Sequence, residues 1–436
     1  MATNTSGGTT ASFANTPQAK DDQYNAYENC VFTFDVMSND LGGAAKILWS
    51  IDDATRTDDS ANGTIDLLTS DIKATIPECS DLGARISIVD GKVHYDTNSL
   101  DWLAAGETKT DKFTYAIRLA NGTLSWATVT VQVTGRNDGP VILTAGTDVA
   151  GGVTENAEPI EGGDLTDTGK ISFADVDLSD QHSAAVLGVK DADGNAVSAP
   201  LGALTLGALD QTANSVSWTY TVADGALDFL AAGETRTQVY TVAISDGKGG
   251  TVNKDVTVVI TGTNDAPTIV VAGTDAAGAV TEKAEPNEGG NLTDTGTISF
   301  ADVDLTDQHS AAVLSVVKDG SGNAVASPLG TLTLAAVDQA ANSVSWNFTV
   351  ADGALDFLAA GETRTQVYTV EIGDGKGGKA TQDVTVTITG TNDAASITGN
   401  AAGDVREDGD VLTTGGKLTV SDVDTGEALL VAQSDA

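Results

Sequence analysis

Residues 171–187 read ISFADVDLSDQHSAAVL, and residues 298–314 repeat them with a single change, Ser179 to Thr306. Residues 223–242 and 351–370 are identical, ADGALDFLAAGETRTQVYTV. The offsets are 127 and 128 residues. A period of this length makes each copy a domain-sized unit and the chain a tandem array. The first part of the chain is a diverged copy. It carries LDWLAAGET at 100–108, against LDFLAAGET at 227–235 and 355–363. Each copy closes alike, with GRNDGP at 135–140, GTNDAP at 262–267 and GTNDAA at 390–395. Proline after Asn-Asp stiffens a chain and ends strand pairing, which suits a boundary. The expected division is a flexible leader over 1–16 and β-domains over 17–138, 139–265 and 266–393. The start of a further copy, over 394–436, is too short to close a sandwich.

Within a copy the hydrophobic period is two. Val216, Trp218, Tyr220 and Val222 share one face, as do Tyr240, Val242 and Ile244, and Val256, Val258 and Ile260. That is the pattern of half-buried strands. Forty-eight glycines and frequent Asn and Asp supply the turns. The fold class expected is all-β: antiparallel β-sandwiches in linear array. Trp218, Trp346, Tyr240 and Tyr368 then belong to cores rather than to a ligand platform.

The charge narrows the function classes. Sixty-two acidic residues face 22 basic ones, a net charge of −40. A nucleic-acid binder needs the opposite sign, and so does a protein held on anionic lipid. Carboxylates this dense repel one another and call for cations with a taste for oxygen, Ca²⁺ above all. Solubility alone is the competing explanation. Residues 1–18 have neither a basic n-region nor an apolar h-region, and no run of about 18 apolar residues occurs. Membrane insertion is not expected, and export, if any, would read a signal other than an N-terminal peptide. Cys30 and Cys79 form no CxxC pair. They either join as one disulfide or stand as two buried thiols.

Three acidic features keep register with the boundaries. One is a glutamate near the start of each copy: Glu155, Glu282 and Glu407, with Glu28 as a possible counterpart. Another is the DVD pair: Asp175 and Asp177, Asp302 and Asp304, Asp422 and Asp424. The last is the junction: Asn137 and Asp138, Asn264 and Asp265, Asn392 and Asp393. In ISFADVD, strand geometry would point Ile171, Phe173, Asp175 and Asp177 to the same side. Two unpaired carboxylates cannot be buried there, so the strand must end near Ala174. Held together, the pair asks for a cation. Calcium wants six to eight oxygens, so each DVD pair would need the Asn-Asp junction and the glutamate of the same repeat. Turn chemistry is the competing reading of all these residues. Asp246 and Asp374 fit hairpin turns. His182 and His309, in DQHS, read as solvated residues of an acidic loop.

No GxSxG, HExxH or phosphate-loop motif occurs, and near-identical modules repeat surfaces rather than build one reaction centre. No enzyme is expected. The DVDxxDxH block, the W-x-Y strand, LDFLAAGET and the closing TGTNDAP together resemble the VCBS repeats, cadherin-like modules of very large bacterial surface adhesins. The start of the first copy, AKDDQYNAYEN and FDVMSNDL, resembles the related cadherin-like or bacterial Ig-like modules of the same adhesins. The resemblance implies monomeric rods stiffened by calcium at the joints, exported by type I secretion to the cell surface. Distal parts of the full protein would meet a host, surface or matrix ligand in adhesion or biofilm formation. The alternative is that the copies themselves bind carbohydrate or protein. Two departures weaken the pattern at the third copy: NDAA replaces NDAP, and Lys283 follows Glu282 where Asn156 follows Glu155.

Overall fold

The computed structural model describes residues 18–53, 67–74, 77–157, 162–284, 289–407 and 413–429. The expected leader over 1–16 lies outside them. By contacts the chain divides into two compact units. One comprises 1–151, 166–221 and 237–258; the other comprises 152–165, 222–236 and 259–436. The described regular structure is β-strand with a few single-turn 3₁₀ segments.

In the first unit, one sheet runs Asp22–Tyr27, Leu124–Thr134, Thr108–Arg118, Ile47–Asp53. A second runs Val31–Phe34, Lys92–Asp96, Arg85–Val89, Glu78–Cys79. Their inner faces meet in one core containing Phe34, Ile86, Tyr95, Phe113, Tyr115 and Val131. Further strands of this unit follow the same alternation. Val141–Asp148 pairs antiparallel with Asp164–Ala174, and Ser183–Lys190 with Thr235–Ser245. Trp218 is fully buried, and its indole N–H donates to the Asp148 carbonyl at 2.7 Å.

In the second unit, one sheet runs Thr268–Ile269, Asn291–Ala301, Ser343–Ala351, Thr331–Leu334. Its partner runs Ala277–Thr281, Lys379–Thr389, Thr363–Gly373, Ser310–Val313. Ile298, Trp346 and Phe348 of the former pack with Tyr368, Val370 and Val386 of the latter. The β-sandwich class is therefore observed, and the expected core aromatics are buried: Trp218, Trp346, Tyr240 and Tyr368 are all at most 3% exposed. In the partial copy, Ser396–Gly399 pairs with Leu418–Ser421, and nearly all of these residues are exposed. Cys30 is half-buried and Cys79 exposed, and no disulfide joins them, so neither the disulfide nor the pair of buried thiols is observed.

The sandwiches depart from strict antiparallel order in one respect. Asp22–Tyr27 runs parallel to the last strand of its copy, with Tyr27 opposite Thr134. Ala277–Thr281 does the same, with Thr281 opposite Thr389. A first and a last strand running the same way bring the chain in at one end of a copy and out at the other. That suits a tandem array and sets up the acidic sites.

Immediately after the last strand comes a glycine that nothing else could replace cheaply. A Cβ on Gly135, Gly262 or Gly390 would lie 2.3, 2.1 or 2.3 Å from the carbonyl oxygen of Ala104, Leu230 or Leu358. Those carbonyls belong to the LDxLAAGET turn, which is also tied by Gly135 N–H to Glu107 O and Gly390 N–H to Glu362 O. The turn thus clamps the chain just before Asn-Asp. Gly390→Ala is expected to cost about 1–3 kcal/mol in urea unfolding, through overpacking against backbone that has no room to shift; a loss within error of zero would show the clamp to be loose.

Candidate metal centres

The parallel register decides where each early glutamate goes. Continuing the ladder, the N–H groups of Glu28, Glu155 and Glu282 donate to the carbonyls of Thr134, Thr261 and Thr389 at 3.1, 2.9 and 2.9 Å. Their side chains then lie beside the chain leaving the copy, 108 or 109 residues downstream. Glu155 Oε2 accepts the N–H of Thr263 at 2.7 Å, and Glu282 Oε2 that of Thr391 at 2.8 Å. Glu28 Oε1 accepts the N–H of Arg136.

The DVD pairs arrive from the following copy. The strands end at Ala174 and Ala301, where burial of carboxylates required them to stop. Each pair then folds as an Asx turn, the second aspartate's N–H donating to Oδ1 of the first at 3.0 Å. The N–H groups of Asp138, Asp265 and Asp393 donate to Oδ2 of Asp177, Asp304 and Asp424, each at 3.0 Å. The glutamate that meets a DVD pair therefore belongs to the preceding copy. Glu155 adjoins Asp304 rather than Asp177, which corrects the expectation that glutamate and DVD of one repeat converge.

Three clusters result, each contained within one compact unit. The first holds Glu28, Asn137, Asp138 and Asp177. One oxygen each from Glu28, Asp138 and Asp177 lies within 4.8 Å of the others. The second holds Glu155, Asn264, Asp265 and Asp304. The third holds Glu282, Asn392, Asp393 and Asp424, and here oxygens of Glu282, Asp356 and Asp393 lie within 4.8 Å of one another. Asp356 was missed in sequence. Its signal was the aspartate repeated in LDWLAAGET and LDFLAAGET, at Asp101, Asp228 and Asp356. Glu407 is exposed and does not share the burial of its counterparts.

Surrounding residues hold the cluster residues in place. Asp246 Oδ1 accepts three N–H groups of its own turn, from Lys248, Gly249 and Gly250, as a hairpin aspartate would. Its other oxygen accepts Asn137 Nδ2 at 2.8 Å, and Asp374 accepts Asn264 Nδ2 at 3.0 Å. Each therefore serves both turn and junction. The histidines are not solvated. His182 is 8% exposed and packs against Phe173, ring centroids 4.8 Å apart and tilted by 55°. Its Nε2 lies 2.9 Å from Asp175 Oδ2, as His309 Nε2 does from Asp302 Oδ2. The residue following the glutamate turns away from the cluster in both repeats: Asn156 binds Asp224, and Lys283 binds Asp352 and the Gly289 carbonyl. The Asn-to-Lys change leaves the cluster untouched.

The clusters are electrostatically incomplete. Buried oxygens without a hydrogen-bond partner include Glu28 Oε2, Asn137 Oδ1 and Asp177 Oδ1 in the first cluster. Asn264 Oδ1 and Asp304 Oδ1 are left so in the second, and Glu282 Oε1, both Asp393 oxygens and Asp424 Oδ1 in the third. Unpaired buried acceptors are costly, and charged ones more so. Burial, with neighbouring carboxylates adding to it, pushes Asp177 and Asp304 up to about 6 and Glu28 up to about 7. Burial also raises Glu282. At neutral pH these oxygens need either protons or a cation.

The sign of the resulting pH dependence follows by linkage. A carboxyl whose folded pKa is raised binds more protons folded than unfolded. Its stabilising effect is full below about pH 4 and is lost as pH rises through 6 to 7. In chelator, the melting temperature is expected to rise as pH falls from 7.5 to 5, read by scanning calorimetry. A flat or falling profile over that window would contradict the raised values.

No protein-family model matches the chain, and no curated protein matches it in sequence. Among the described residues no helix is long and apolar enough to cross a membrane. Among solved structures the chain is similar to a protocadherin gammaB7 EC3-6 cis-dimer structure, at 11% identity over 94% of this chain and 83% of that one, with a TM-score of 0.42. It is also similar to protocadherin gamma B2 extracellular cadherin domains 3-6, at 12% identity over 94% and 83%, TM-score 0.41. Drosophila N-cadherin EC1-4 is similar at 13% identity over 86% and 74%, TM-score 0.30.

Proposed function

We propose that this chain is a non-catalytic, calcium-binding extender region of a bacterial surface adhesin, built from domains over 17–138, 139–265 and 266–393 and acting outside the cell. The single observation that carries the reading is the threefold convergence of a glutamate, an Asn-Asp pair and a DVD pair, with buried oxygens left over in each cluster. The donors are carboxylate and amide oxygens, with neither thiolate nor imidazole aimed among them. That set fits a hard cation needing many oxygens, and calcium before magnesium, which keeps more of its water. Glu28, Asn137, Asp138 and Asp177 would hold one ion. Glu155, Asn264, Asp265 and Asp304 would hold a second, and Glu282, Asp356, Asn392, Asp393 and Asp424 a third. A bound ion there ties the end of one copy to the start of the next, so its role is stiffness. Direct ligand binding by the copies would call for clustered exposed aromatics; Trp218, Trp346, Tyr220, Tyr240 and Tyr368 are buried, and the exposed ones among the described residues are Tyr27, Trp126 and Phe357.

The test is calcium titration of the full chain by calorimetry, with solution scattering beside it. Asp302→Asn with Asp304→Asn should remove the calcium of one cluster and raise flexibility, with both cores intact by near-UV circular dichroism. Parent-like calcium uptake and scattering in that variant would reject the reading.

A further inference from the structure

The first copy has another buried acidic group, at the opposite end of its first strand. Asp22 opens the strand that Tyr27 closes, so it stands roughly 20 Å from Glu28 at about 3.3 Å per residue. Asp40 comes from the turn after Val31–Phe34, and both aspartates are 8% exposed. They converge on one phenol. Tyr115 Oη lies 2.9 Å from Asp40 Oδ1 and 2.9 Å from the Lys20 carbonyl, with the Asp22 carboxylate beside it. A phenol has one proton to donate, so three acceptors compete for it. Asp40 Oδ1 gains a second donor in the Lys20 N–H at 2.7 Å. Asp22 Oδ2 and Asp40 Oδ2 are buried and have no partner. The Lys46 ammonium is directed to the Asp40 carbonyl, at 2.5 Å. Exposed Asp21 and Asp35 add negative charge around Asp22, while Lys46 and Lys20 offset part of the charge of Asp40. The group is particular to this copy: the position of Tyr115 in TKTDKFTYAIR is taken by Val242 and Val370 in the repeats.

We propose that Asp22 Oδ2 and Asp40 Oδ2 hold a divalent cation of the calcium class at a site separate from the three junction clusters. Two buried carboxylate oxygens without donors, on side chains that share the Tyr115 phenol, are what such an ion takes up. The Lys20 carbonyl adds an oxygen on the same wall, and water supplies the remainder. Tyr115 is a positioning residue, fixing Asp40 by its hydrogen bond.

Calcium titration of the full chain tests this without reliance on the junction reading. Asp22→Asn with Asp40→Asn should bind one calcium fewer than the parent. Asp302→Asn with Asp304→Asn should keep this ion. Should the double variant fail to fold, the isosteric Asp22→Asn alone should weaken one site at least tenfold. Unchanged stoichiometry in a folded double variant, or an unchanged titration of Asp22→Asn, overturns the proposal and leaves the pair closed by a shared proton. If only the junction variant loses calcium, this site fails and the junction reading stands; if only the Asp22 and Asp40 variants lose it, the reverse holds.

Discussion

Removing calcium from the full chain is expected to lower its melting temperature by about 10 °C. The expectation follows from ligand linkage. An ion bound only by the folded form adds about 2.7 kcal/mol at a hundredfold excess over Kd, and about 1 kcal/mol moves the melting point of a domain this size by roughly 4 °C. The leftover oxygens give the binding its physical basis. Glu28, Asp177, Asp304, Glu282, Asp393 and Asp424 each present a buried acceptor that the chain itself does not satisfy. Calcium would replace the protons that burial otherwise draws to Asp177 and Asp304, so the shift should be largest near pH 7.5 and shrink towards pH 5. Scanning calorimetry with millimolar calcium or chelator reads it, with magnesium as control. Equal melting in both buffers would reduce the acidic motifs to turns and solubility.

Trp346→Ala is expected to cost about 3–5 kcal/mol in urea unfolding. The ring sits in a slot made by glycines. A Cβ on Gly296 would lie 2.5 Å from the indole, and one on Gly278 would lie 3.1 Å from it. Neither neighbour has a side chain to collapse into the space left behind, and stiff paired strands resist closing it. The substitution also strands the Asp275 carbonyl, which accepts the indole N–H at 2.7 Å. A loss below about 1 kcal/mol would mean that the slot closes after all, against the cavity argument. Phe at this position should recover part of the loss by filling volume, but not the hydrogen bond.

Much was legible from the chain alone. Period-two alternation is a property of a strand and its own neighbours, so Val216, Trp218, Tyr220 and Val222 announced a buried face that the structure places in the core. The end of the strand at Ala174 was equally local, because two consecutive same-face aspartates cannot continue into a core. The repeated register of Glu, DVD and Asn-Asp showed that these residues act together. Only the tertiary structure decided which glutamate meets which pair. That choice depends on a first strand lying parallel to a last strand 108 residues away, and no local period records a pairing at such a distance. Separation along the chain also hid Asp356, which reaches its cluster through a turn clamped on Gly390. The burial of His182 against Phe173 was hidden for another reason: an acidic loop reads as solvated until the strand it covers is known. Asp22, Asp40 and Tyr115 were hidden too: they lie 18 and 75 residues apart in sequence and meet only because two strands and a turn are folded over one another. Sequence determined the strands, the cores and the chemistry of the acidic residues, because those rest on neighbours along the chain; the partners were decided by strand register, which only folding supplies.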